Sequence, residues 1–377
     1  MEQNIIIIGS GFAARQLVKN IRRIDKRVAI TLIAADSGDE YNKPDLSHVF
    51  SLRQKADDLT RQDAQQFAQE NSLSLHTHTR VTAIDRQRKQ IFCGEQRFNY
   101  QKLVLATGAQ AILPSVSGKE WIFTFNSQAE YRQHQDVLHL AQRIVVLGGG
   151  LIGTELAMDL SRASKQVTLV DRAHSLLAAV MPAKISSRLQ HKFSQMGVEM
   201  ALNNELIRID KTAKGLDVSL KNGLTINAGA VIAAIGLKPE TSLAADAGLN
   251  TQRGILVNGQ LQTSDPDIYA LGDCAEIEGK VQPFLQPAQL GAMTLAKNLL
   301  GGTGTLRLSV MLVKVKTPDL PLFFAGETRR TDLSWEITMS SKGMMAQGHD
   351  PQGQLCAFIA TEESTSQAFT LLRKLPY

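Results

Sequence analysis

The chain has 377 residues and a formal net charge of +5, and 43% of its residues are hydrophobic. This length is too great for one ordinary core and predicts two or three domains. The charge is modest, and lysine and arginine form no dense block, which argues against a nucleic-acid partner. No apolar run approaches the roughly 18 residues of a membrane span, and the opening residues lack the pattern of a secretion signal. We therefore expect a cytoplasmic protein with neither nucleic acid nor membrane as a partner.

The first predicted elements are a buried strand, a glycine turn and a helix, in the stretch NIIIIGSGFAARQL from Asn4. Gly9, Gly11 and Ala14 occupy the three small-residue places of a G-x-G-x-x-G/A turn. The first permits a sharp turn, the second lets the backbone approach a pyrophosphate, and the third lets the helix pack closely on the strand. The helix is predicted to bury one apolar stripe: Ala13, Ala14, Leu17, Val18, Ile21 and Ile24.

Two segments after the first glycine turn carry further candidate cofactor contacts. The strand VAITLIAAD is predicted to end at Asp36, whose carboxylate can accept hydrogen bonds from a ribose, although its distance from the glycine turn exceeds the usual spacing of about 20 residues. The strand LVLATGA ends in a small-residue turn at Thr107 and Gly108. Such a turn would bring the backbone close to a cofactor again, and the alternative is an ordinary strand end.

The same design recurs in the stretch RIVVLGGGLIGTELAMDL from Arg143. Gly148, Gly150 and Gly153 follow the strand at the ideal spacing, and the apolar positions of the next helix continue the pattern. One fingerprint alone is weak evidence, because an α/β turn without a ligand can show it. Two matched copies predict two Rossmann-like dinucleotide-binding units.

The strand of the second copy, QVTLVD, ends at Asp171. A terminal carboxylate favours NAD over NADP, because it would repel a 2′-phosphate. Arg172 next to it could pair with that phosphate, so NADP stays open. Farther along, the segment VIAAIGLKPET repeats the small-residue turn at Gly236.

The cysteines, Cys93, Cys274 and Cys356, are far apart in the sequence and form no Cys-x-x-Cys pair. This spacing argues against a disulfide framework, a structural zinc site and a dithiol redox centre. We expect three buried small side chains and no bound metal.

The segment TSDPDIYALGDCAE, which starts at Thr263, resembles the flavin-contacting segment of pyridine-nucleotide:FAD oxidoreductases with two dinucleotide folds. The resemblance implies that Asp273, after Gly272, binds the ribityl chain of FAD, and that the start of the following helix approaches the flavin ring. The alternative for Asp273 is a helix N-cap. The order of the motifs implies that the first unit holds FAD and the second holds NAD(H).

The resemblance also implies how the chain is divided. An FAD-binding domain would span residues 1–112 and 244–305, with an NAD-binding domain inserted at 113–243. Residues 306–377 show short alternating runs and are predicted to form a small C-terminal α+β domain rich in strands. The predicted fold class is therefore α/β, with two Rossmann-like dinucleotide-binding domains, the first of them discontinuous, plus this third domain.

The stretch YNKPDLS, from Tyr41, indicates the branch of the family. It lacks the reactive cysteines of disulfide reductases and NADH oxidases, and it resembles rubredoxin and ferredoxin reductases, which carry a Lys-Pro pair beside the flavin. The stretch KTPDLPL, from Lys316, is similar to the segment that opens the C-terminal domain of rubredoxin reductases. The resemblance implies an NADH-dependent flavoprotein reductase that passes electrons through FAD to a rubredoxin-like iron protein. The acceptor it implies is the rubredoxin domain of flavorubredoxin, in support of nitric oxide reduction.

Four residues receive roles only from this resemblance. Lys43 would act as a catalytic group that places positive charge beside the flavin, with Pro44 next to it, and the alternative is a solvated loop lysine. Glu155 would be a second catalytic group that orients the nicotinamide end, and the alternative is a partner of the helix dipole. Val81 would contribute to the cofactor site.

Two other functions stay open. A ferredoxin reductase that feeds an oxygenase would share these motifs and differ only in its acceptor surface. An NADH-sensing dinucleotide-binding protein with weak turnover would belong to another functional class. Lys314 and Lys316 are candidates for steering an acidic acceptor, and the alternative is that both point outward from an ordinary solvated strand.

Overall fold

The computed structural model describes residues 4–376, so residues 1–3 and 377, which the predicted domain boundaries include, lie outside the described residues. Within the described range, the α-helices are α1 (Phe12–Ile24), α2 (Ala64–Glu70), α3 (Gln128–Leu140), α4 (Leu151–Arg162), α5 (Ala183–Gln195), α6 (Ser242–Asp246), α7 (Leu285–Leu299) and α8 (Ala368–Leu372). None of the helices between residues 4 and 376 is both long and apolar enough to cross a membrane.

The strands of the same range are β1 (Asn4–Ile8), β2 (Ala29–Ile33), β3 (Glu40–Tyr41), β4 (Thr60–Gln62), β5 (Ser74–His76), β6 (Ala83–Asp85), β7 (Gln90–Cys93), β8 (Gln96–Asn99), β9 (Lys102–Leu105), β10 (Ala109–Ala111), β11 (Ile122–Thr124), β12 (Arg143–Leu147), β13 (Gln166–Val170) and β14 (Glu199–Ala201). They continue with β15 (Leu206–Thr212), β16 (Gly215–Leu220), β17 (Thr225–Ala228), β18 (Ala230–Ala233), β19 (Leu237–Pro239), β20 (Ile255–Val257), β21 (Ile268–Ala270), β22 (Ala275–Ile277), β23 (Lys280–Val281), β24 (Val313–Val315), β25 (Leu322–Gly326), β26 (Ser334–Ser340), β27 (Gly343–His349) and β28 (Leu355–Thr361).

The chain packs into two compact units, each made of several segments. The first unit comprises the chain up to Asn42, Leu59–Gln110 and Leu237–Leu308. The second unit comprises Lys43–Asp58, Ala111–Gly236 and the chain from Ser309 onward. Lys43–Asp58, which the sequence analysis assigned to the first domain, thus packs within the second unit. The predicted boundaries of the three domains stay a prediction.

The first unit is built on a parallel sheet with the strand order β21, β9, β1, β2, β5. The side chains of Ile5, Ile6 and Ile7 have no exposed surface, so β1 is buried on both faces, as is typical of a parallel α/β sheet. Helix α1 packs against α7, which comes from the far end of the same unit. Because β21 follows most of the second unit in the sequence, the first unit is discontinuous, as predicted.

Two predicted details of the first unit are wrong. Strand β2 ends at Ile33, because the chain turns away from the sheet where the Asp36 side chain accepts the backbone N–H of Gly38 over 3.0 Å. Ile24 is 54% exposed, because it is the last residue of α1 and the chain becomes extended at Asp25. The central residues of the predicted stripe are fully buried: Ala14, Leu17, Val18 and Ile21.

The second unit contains a parallel sheet with the order β11, β18, β12, β13, β14. Helix α4 buries Leu156, Ala157 and Leu160 completely, in agreement with the sequence pattern. The C-terminal part adds an antiparallel sheet with the order β24, β25, β28, β27, β26, on which α8 packs through β25. The predicted fold class, with two Rossmann-like sheets and a strand-rich C-terminal part, is confirmed.

Candidate functional site

In the first unit, three sequence motifs converge at the carboxyl edge of the parallel sheet. Strands β1, β9 and β21 end at this edge and lead into the first glycine turn, the Ala-Thr-Gly segment and the Gly-Asp segment. A Cβ atom at Gly9 would collide with the carbonyl oxygen of Ala106, and one at Gly272 would lie 2.8 Å from Cβ of Ala13. Ligands of open α/β sheets bind outside this edge. The three motifs therefore meet at the place where a cofactor would bind.

The loop between β1 and α1 has the shape that a dinucleotide pyrophosphate needs. Gly9 has φ +110°, a conformation that glycine adopts far more readily than other residues. Gly11 caps α1 with φ −68°, and a Cβ atom there would meet no heavy atom within 4 Å. Gly108 is open in the same way. The free N–H groups of the first helical turn lie at this opening, so these residues fit FAD.

Asp36 reaches the same loop from the side, although β2 ends earlier than predicted. Its Oδ1 atom accepts the hydroxyl of Ser10, the residue between the two glycines of the turn, over 3.1 Å. The hydroxyl of Thr107 donates to the carbonyl oxygen of Glu240 over 3.0 Å and ties the Ala-Thr-Gly segment to the end of β19. Both side chains are therefore fixed within the first unit at the edge of the sheet.

Asp273 lies inside a 3₁₀ turn, Gly272–Cys274, and is half-buried. The chain continues directly into β22, and the next α-helix begins only at Leu285. The following helix, α7, has Phe284 as its N-cap, so the alternative of an N-cap at Asp273 is not realised. The approach of this helix start to the flavin ring stays a prediction. Val81 lies between β5 and β6 and packs, partly buried, against the core of the same unit, which leaves its cofactor contact a prediction.

The second unit repeats the geometry of the first. Gly148 has φ +105°, and a Cβ atom there would collide with the carbonyl oxygen of Ala234 after β18. A Cβ atom at Gly153 would collide with the carbonyl oxygen of Gly148, so α4 lies against the loop as closely as the third glycine predicts. Gly150 caps α4 with φ −76°, and a Cβ atom there would meet nothing within 4 Å. Gly236 follows β18 at the same edge, and this loop therefore fits NAD(H).

The acidic residue after β13 folds back onto this second loop. The Oδ2 atom of Asp171 accepts the N–H of Gly149 in a short hydrogen bond, and Oδ1 accepts the N–H of Ala173 over 2.6 Å. Arg172 is 80% exposed, and its Nη1 atom lies 3.9 Å from Oε1 of Glu205. Because both side chains are exposed, this ion pair is weak and lowers the attraction of Arg172 for a 2′-phosphate only slightly.

Glu155 connects two segments of the second unit. Its Oε2 atom accepts the hydroxyl of Ser47, in the 3₁₀ helix Lys43–His48, over 2.8 Å, and its Oε1 atom accepts the backbone N–H of Lys316 over 2.8 Å. Glu155 lies beyond the first turn of α4, where the helix dipole has weakened. The dipole alternative is therefore wrong, and the carboxylate holds the partly buried Lys43 and Pro44 segment instead.

Asp159 is a buried carboxylate that the sequence analysis missed. Its side chain is 1% exposed, and its Oδ2 atom accepts the N–H of Phe50 over 2.9 Å. Oδ1 accepts the N–H of Ser51 over 3.3 Å and the Ser51 hydroxyl in a short hydrogen bond. Burial raises the pKa of Asp159, and these hydrogen bonds act in the opposite direction. The available signal was one acidic residue within the apolar run LAMDL, four residues after Glu155.

The two candidate docking lysines differ in their surroundings. Lys314, in β24, is exposed, and its Nζ atom lies 5.0 Å from the ring centre of Phe323 and 5.4 Å from that of Phe369. Lys316 lies just after β24, and its Nζ atom donates to the carbonyl oxygen of Pro44 over 2.8 Å. The alternative, in which both lysines point outward from an ordinary solvated strand, does not hold for Lys316, because the strand ends at Val315. Lys314 is the better docking candidate.

The cysteines carry no sign of redox chemistry. Cys274 and Cys356 are buried, as predicted, whereas Cys93 is only partly buried at the end of β7. Burial raises the pKa of each of the three thiols. A raised pKa keeps a thiol protonated and unreactive at neutral pH.

Comparisons with known proteins agree with this geometry. A family model described as pyridine nucleotide-disulphide oxidoreductase matches residues 3–296, and one described as rubredoxin binding C-terminal domain matches residues 305–375. Over 376 residues, and over the full length of both chains, the protein is 57% identical to the "Nitric oxide reductase FlRd-NAD(+) reductase" of Citrobacter koseri.

Solved structures share the fold. A ferredoxin reductase from Rhodopseudomonas palustris is 25% identical with a TM-score of 0.90, and the match covers 100% of this chain and 96% of that one. Putidaredoxin reductase, in a covalent complex with putidaredoxin, is 24% identical with a TM-score of 0.87, and covers 99% and 94%. Since the first family model spans most of the sequence, the chain belongs to the pyridine nucleotide-disulphide oxidoreductase family.

Proposed function

We propose that the protein is an NADH-dependent flavoprotein reductase. It takes electrons from NADH through FAD and passes them to the rubredoxin domain of flavorubredoxin, or to a similar iron protein, in support of nitric oxide reduction. The observation that carries this proposal is the combination in one chain of two open dinucleotide loops and a segment that matches a rubredoxin-binding domain. The name of the full-length relative supports the same function.

We assign FAD to the first unit and NADH to the second. The candidate FAD contacts are Gly9, Gly11, Ala14, Asp36, Val81, Thr107, Gly108, Gly272 and Asp273. The candidate NADH contacts are Gly148, Gly150, Gly153, Asp171 and Gly236. FAD, when bound, supplies the exchange between a two-electron hydride donor and a one-electron iron acceptor. The loops contribute N–H groups at helix N-termini, which bind phosphates without a side chain.

Lys43, Pro44 and Glu155 form the proposed catalytic segment. Lys43 supplies positive charge near the flavin, where a fixed cation stabilises developing negative charge. Pro44 restricts the backbone beside it, since its φ is fixed. Glu155 orients the nicotinamide end, and its hydrogen bonds to Ser47 and to the Lys316 backbone hold the Lys43 helix in the second unit.

The function is tested by following the flavin absorbance of the purified protein without oxygen. Addition of NADH should bleach the yellow colour, and addition of oxidised rubredoxin should restore it. Faster reoxidation by a plant-type ferredoxin would favour the alternative of an oxygenase-linked reductase. Failure of NADH to bleach a protein that retains FAD would favour the NADH-sensing alternative.

The cytoplasmic location and the three-domain division are also proposals. A cytoplasmic location is tested by cell fractionation with antibodies against the chain. The three-domain division is tested by limited proteolysis of the FAD-loaded protein, which should cut near residues 112, 243 and 305 before it cuts within the domains.

The replacement Asp171→Ser should weaken the preference for NADH. A like charge about 4 Å away costs about 1 kcal/mol even at the dielectric constant of water. The ratio of kcat/KM for NADH to that for NADPH should therefore fall roughly fivefold or more. Glu205→Gln, which removes only the partner of Arg172, should shift the ratio less and in the same direction. An unchanged ratio in Asp171→Ser would show that this carboxylate does not face the ribose.

The replacement Lys314→Glu should slow rubredoxin reduction at low salt by roughly three- to tenfold, through lost electrostatic steering. The difference should vanish at high salt, because the Debye length falls from about 10 Å at 0.1 M to about 3 Å at 1 M. Bleaching by NADH should stay unchanged. Lys214→Glu, at an exposed turn of the second unit, makes the same charge change as a control. Equal salt slopes for wild type and Lys314→Glu would rule out this docking position.

A further inference from the structure

The segment Lys43–Asp58, called the strap below, is fastened to helices of the second unit. At its far end, the backbone N–H of Ala56 donates to Oε1 of Gln135 over 2.8 Å, and the Ala56 carbonyl oxygen accepts a hydrogen bond from Nε2 of Gln128 over 2.7 Å. Both glutamines lie on α3. The hydroxyl of Tyr131 donates to the carbonyl oxygen of Gln54 over 2.6 Å. These bonds fix the second half of the strap and leave its first half, with Lys43, to other contacts.

The first half of the strap is held by two carboxylates of α4. Glu155 and Asp159 are four residues apart and therefore lie on one face of the helix. Glu155 accepts the Ser47 hydroxyl, and Asp159 accepts both backbone N–H groups of Phe50 and Ser51 together with the Ser51 hydroxyl. Among residues 4–376, the strap supplies all the hydrogen bonds to the Asp159 carboxylate, and its own helix supplies none.

We propose that Asp159 is a positioning residue, which sets the place of Lys43 and Pro44 by fixing the strap to α4, the helix that Gly150 caps. This inference rests on the proposed function, in which Lys43 is the cation beside the flavin and Gly150 lies at the NADH pyrophosphate. A buried carboxylate with three donors defines the backbone at Phe50 and Ser51 closely, since an unpaired buried N–H group is costly. The 3₁₀ helix that contains Lys43 and Pro44 ends at His48, two residues before Phe50. Fixing the backbone at Phe50 and Ser51 therefore also restricts the position of this helix.

The structure explains why a charge is needed at this position. The Ser51 hydroxyl can accept as well as donate, but the backbone N–H groups of Phe50, at Oδ2, and Ser51, at Oδ1, can only donate. In either orientation, an asparagine of the same shape would therefore turn its amide N–H₂ group toward one of these two donors. Asp159→Asn should therefore loosen the strap without creating a cavity. Misplacement of a positioned group by about 1 Å can lower the rate of a chemical step by up to about a hundredfold. The affinity for NADH depends on the Gly150 loop and should change little.

The test compares Asp159→Asn, Ser51→Ala and the control Ser186→Ala, each loaded with FAD. Ser186 is fully buried in the same unit and donates to the carbonyl oxygen of Leu176 over 2.6 Å, far along the chain from the strap. Stopped-flow reduction by NADH gives the limiting rate and the dissociation constant separately. Hydrogen exchange reports on the amides of Phe50 and Ser51.

For Asp159→Asn we expect a limiting rate at least about tenfold lower, a nearly unchanged NADH dissociation constant, unchanged FAD content and faster exchange at Phe50 and Ser51. Ser51→Ala, which removes one donor and keeps the charge, should show the same pattern more weakly, and it remains informative if Asp159→Asn does not fold. Ser186→Ala should keep the wild-type rate. Wild-type rate or wild-type exchange in the strap variants would overturn the proposal. Failure of the wild type itself to be reduced by NADH would instead overturn the proposed function.

Discussion

The replacement Gly11→Val should yield a folded protein that has lost most of its FAD. Gly11 has a negative φ that valine can adopt, and a Cβ atom there meets no protein atom within 4 Å. The added side chain would occupy the space assigned to the pyrophosphate and would keep the backbone N–H groups away from it. Overpacking costs about 1 to 3 kcal/mol, and each 1.4 kcal/mol is about tenfold in affinity. We therefore expect FAD to bind roughly 5- to 150-fold more weakly.

The measurement is the flavin-to-protein absorbance ratio after purification, followed by titration of the stripped protein with FAD. Gly304→Val is the matched control in the same unit, since Gly304 has ordinary neighbours at 3.5 Å and no proposed contact with FAD. Circular dichroism and the apo-protein Tm should be close to wild type for both variants. Full flavin content in Gly11→Val would show that the first loop does not hold the pyrophosphate.

The replacement Gly150→Val should leave the protein yellow and make it nearly unresponsive to NADH. Gly150 has the same open position at the start of α4, with φ −76° and no heavy atom within 4 Å of an added Cβ. Its unit is assigned to NADH, so the side chain should block the coenzyme and spare FAD. By the same reasoning about overpacking, the NADH concentration for half-maximal bleaching should rise roughly 5- to 150-fold.

The two loop variants serve as controls for each other. Gly11→Val is expected to lose FAD, and Gly150→Val is expected to keep FAD and lose NADH. Reduction of Gly150→Val by dithionite should proceed as in the wild type, because a small chemical reductant does not need the coenzyme loop. Loss of FAD from Gly150→Val, with FAD kept by Gly11→Val, would reverse the assignment of the two cofactors.

The amino-acid sequence by itself determined the two dinucleotide-binding units. Each fingerprint lies within one strand, one turn and one helix, and several of the physical demands on it are local. The positive φ of Gly9 and Gly148 and the close packing of Gly153 on Gly148 involve residues that are near in sequence, so a pattern in a short window is enough to predict them. The collisions that a Cβ atom at Gly9 or Gly148 would make with Ala106 or Ala234 involve distant strands, and only the structure shows them. The resemblance that indicated FAD and NAD(H) depended on the order of these same local motifs.

The tertiary structure alone decided which residues face one another across long stretches of chain. Asp159 and the strap are more than 100 residues apart, and an acidic residue in an apolar helix was the one sign of this contact in the sequence. Lys314 and Lys316 share one alternation pattern, yet only Lys316 contacts Pro44, because β24 ends between them. Hydrophobic periodicity predicts which side of an element is buried. It does not predict which distant segment covers that side, since packing between elements decides this.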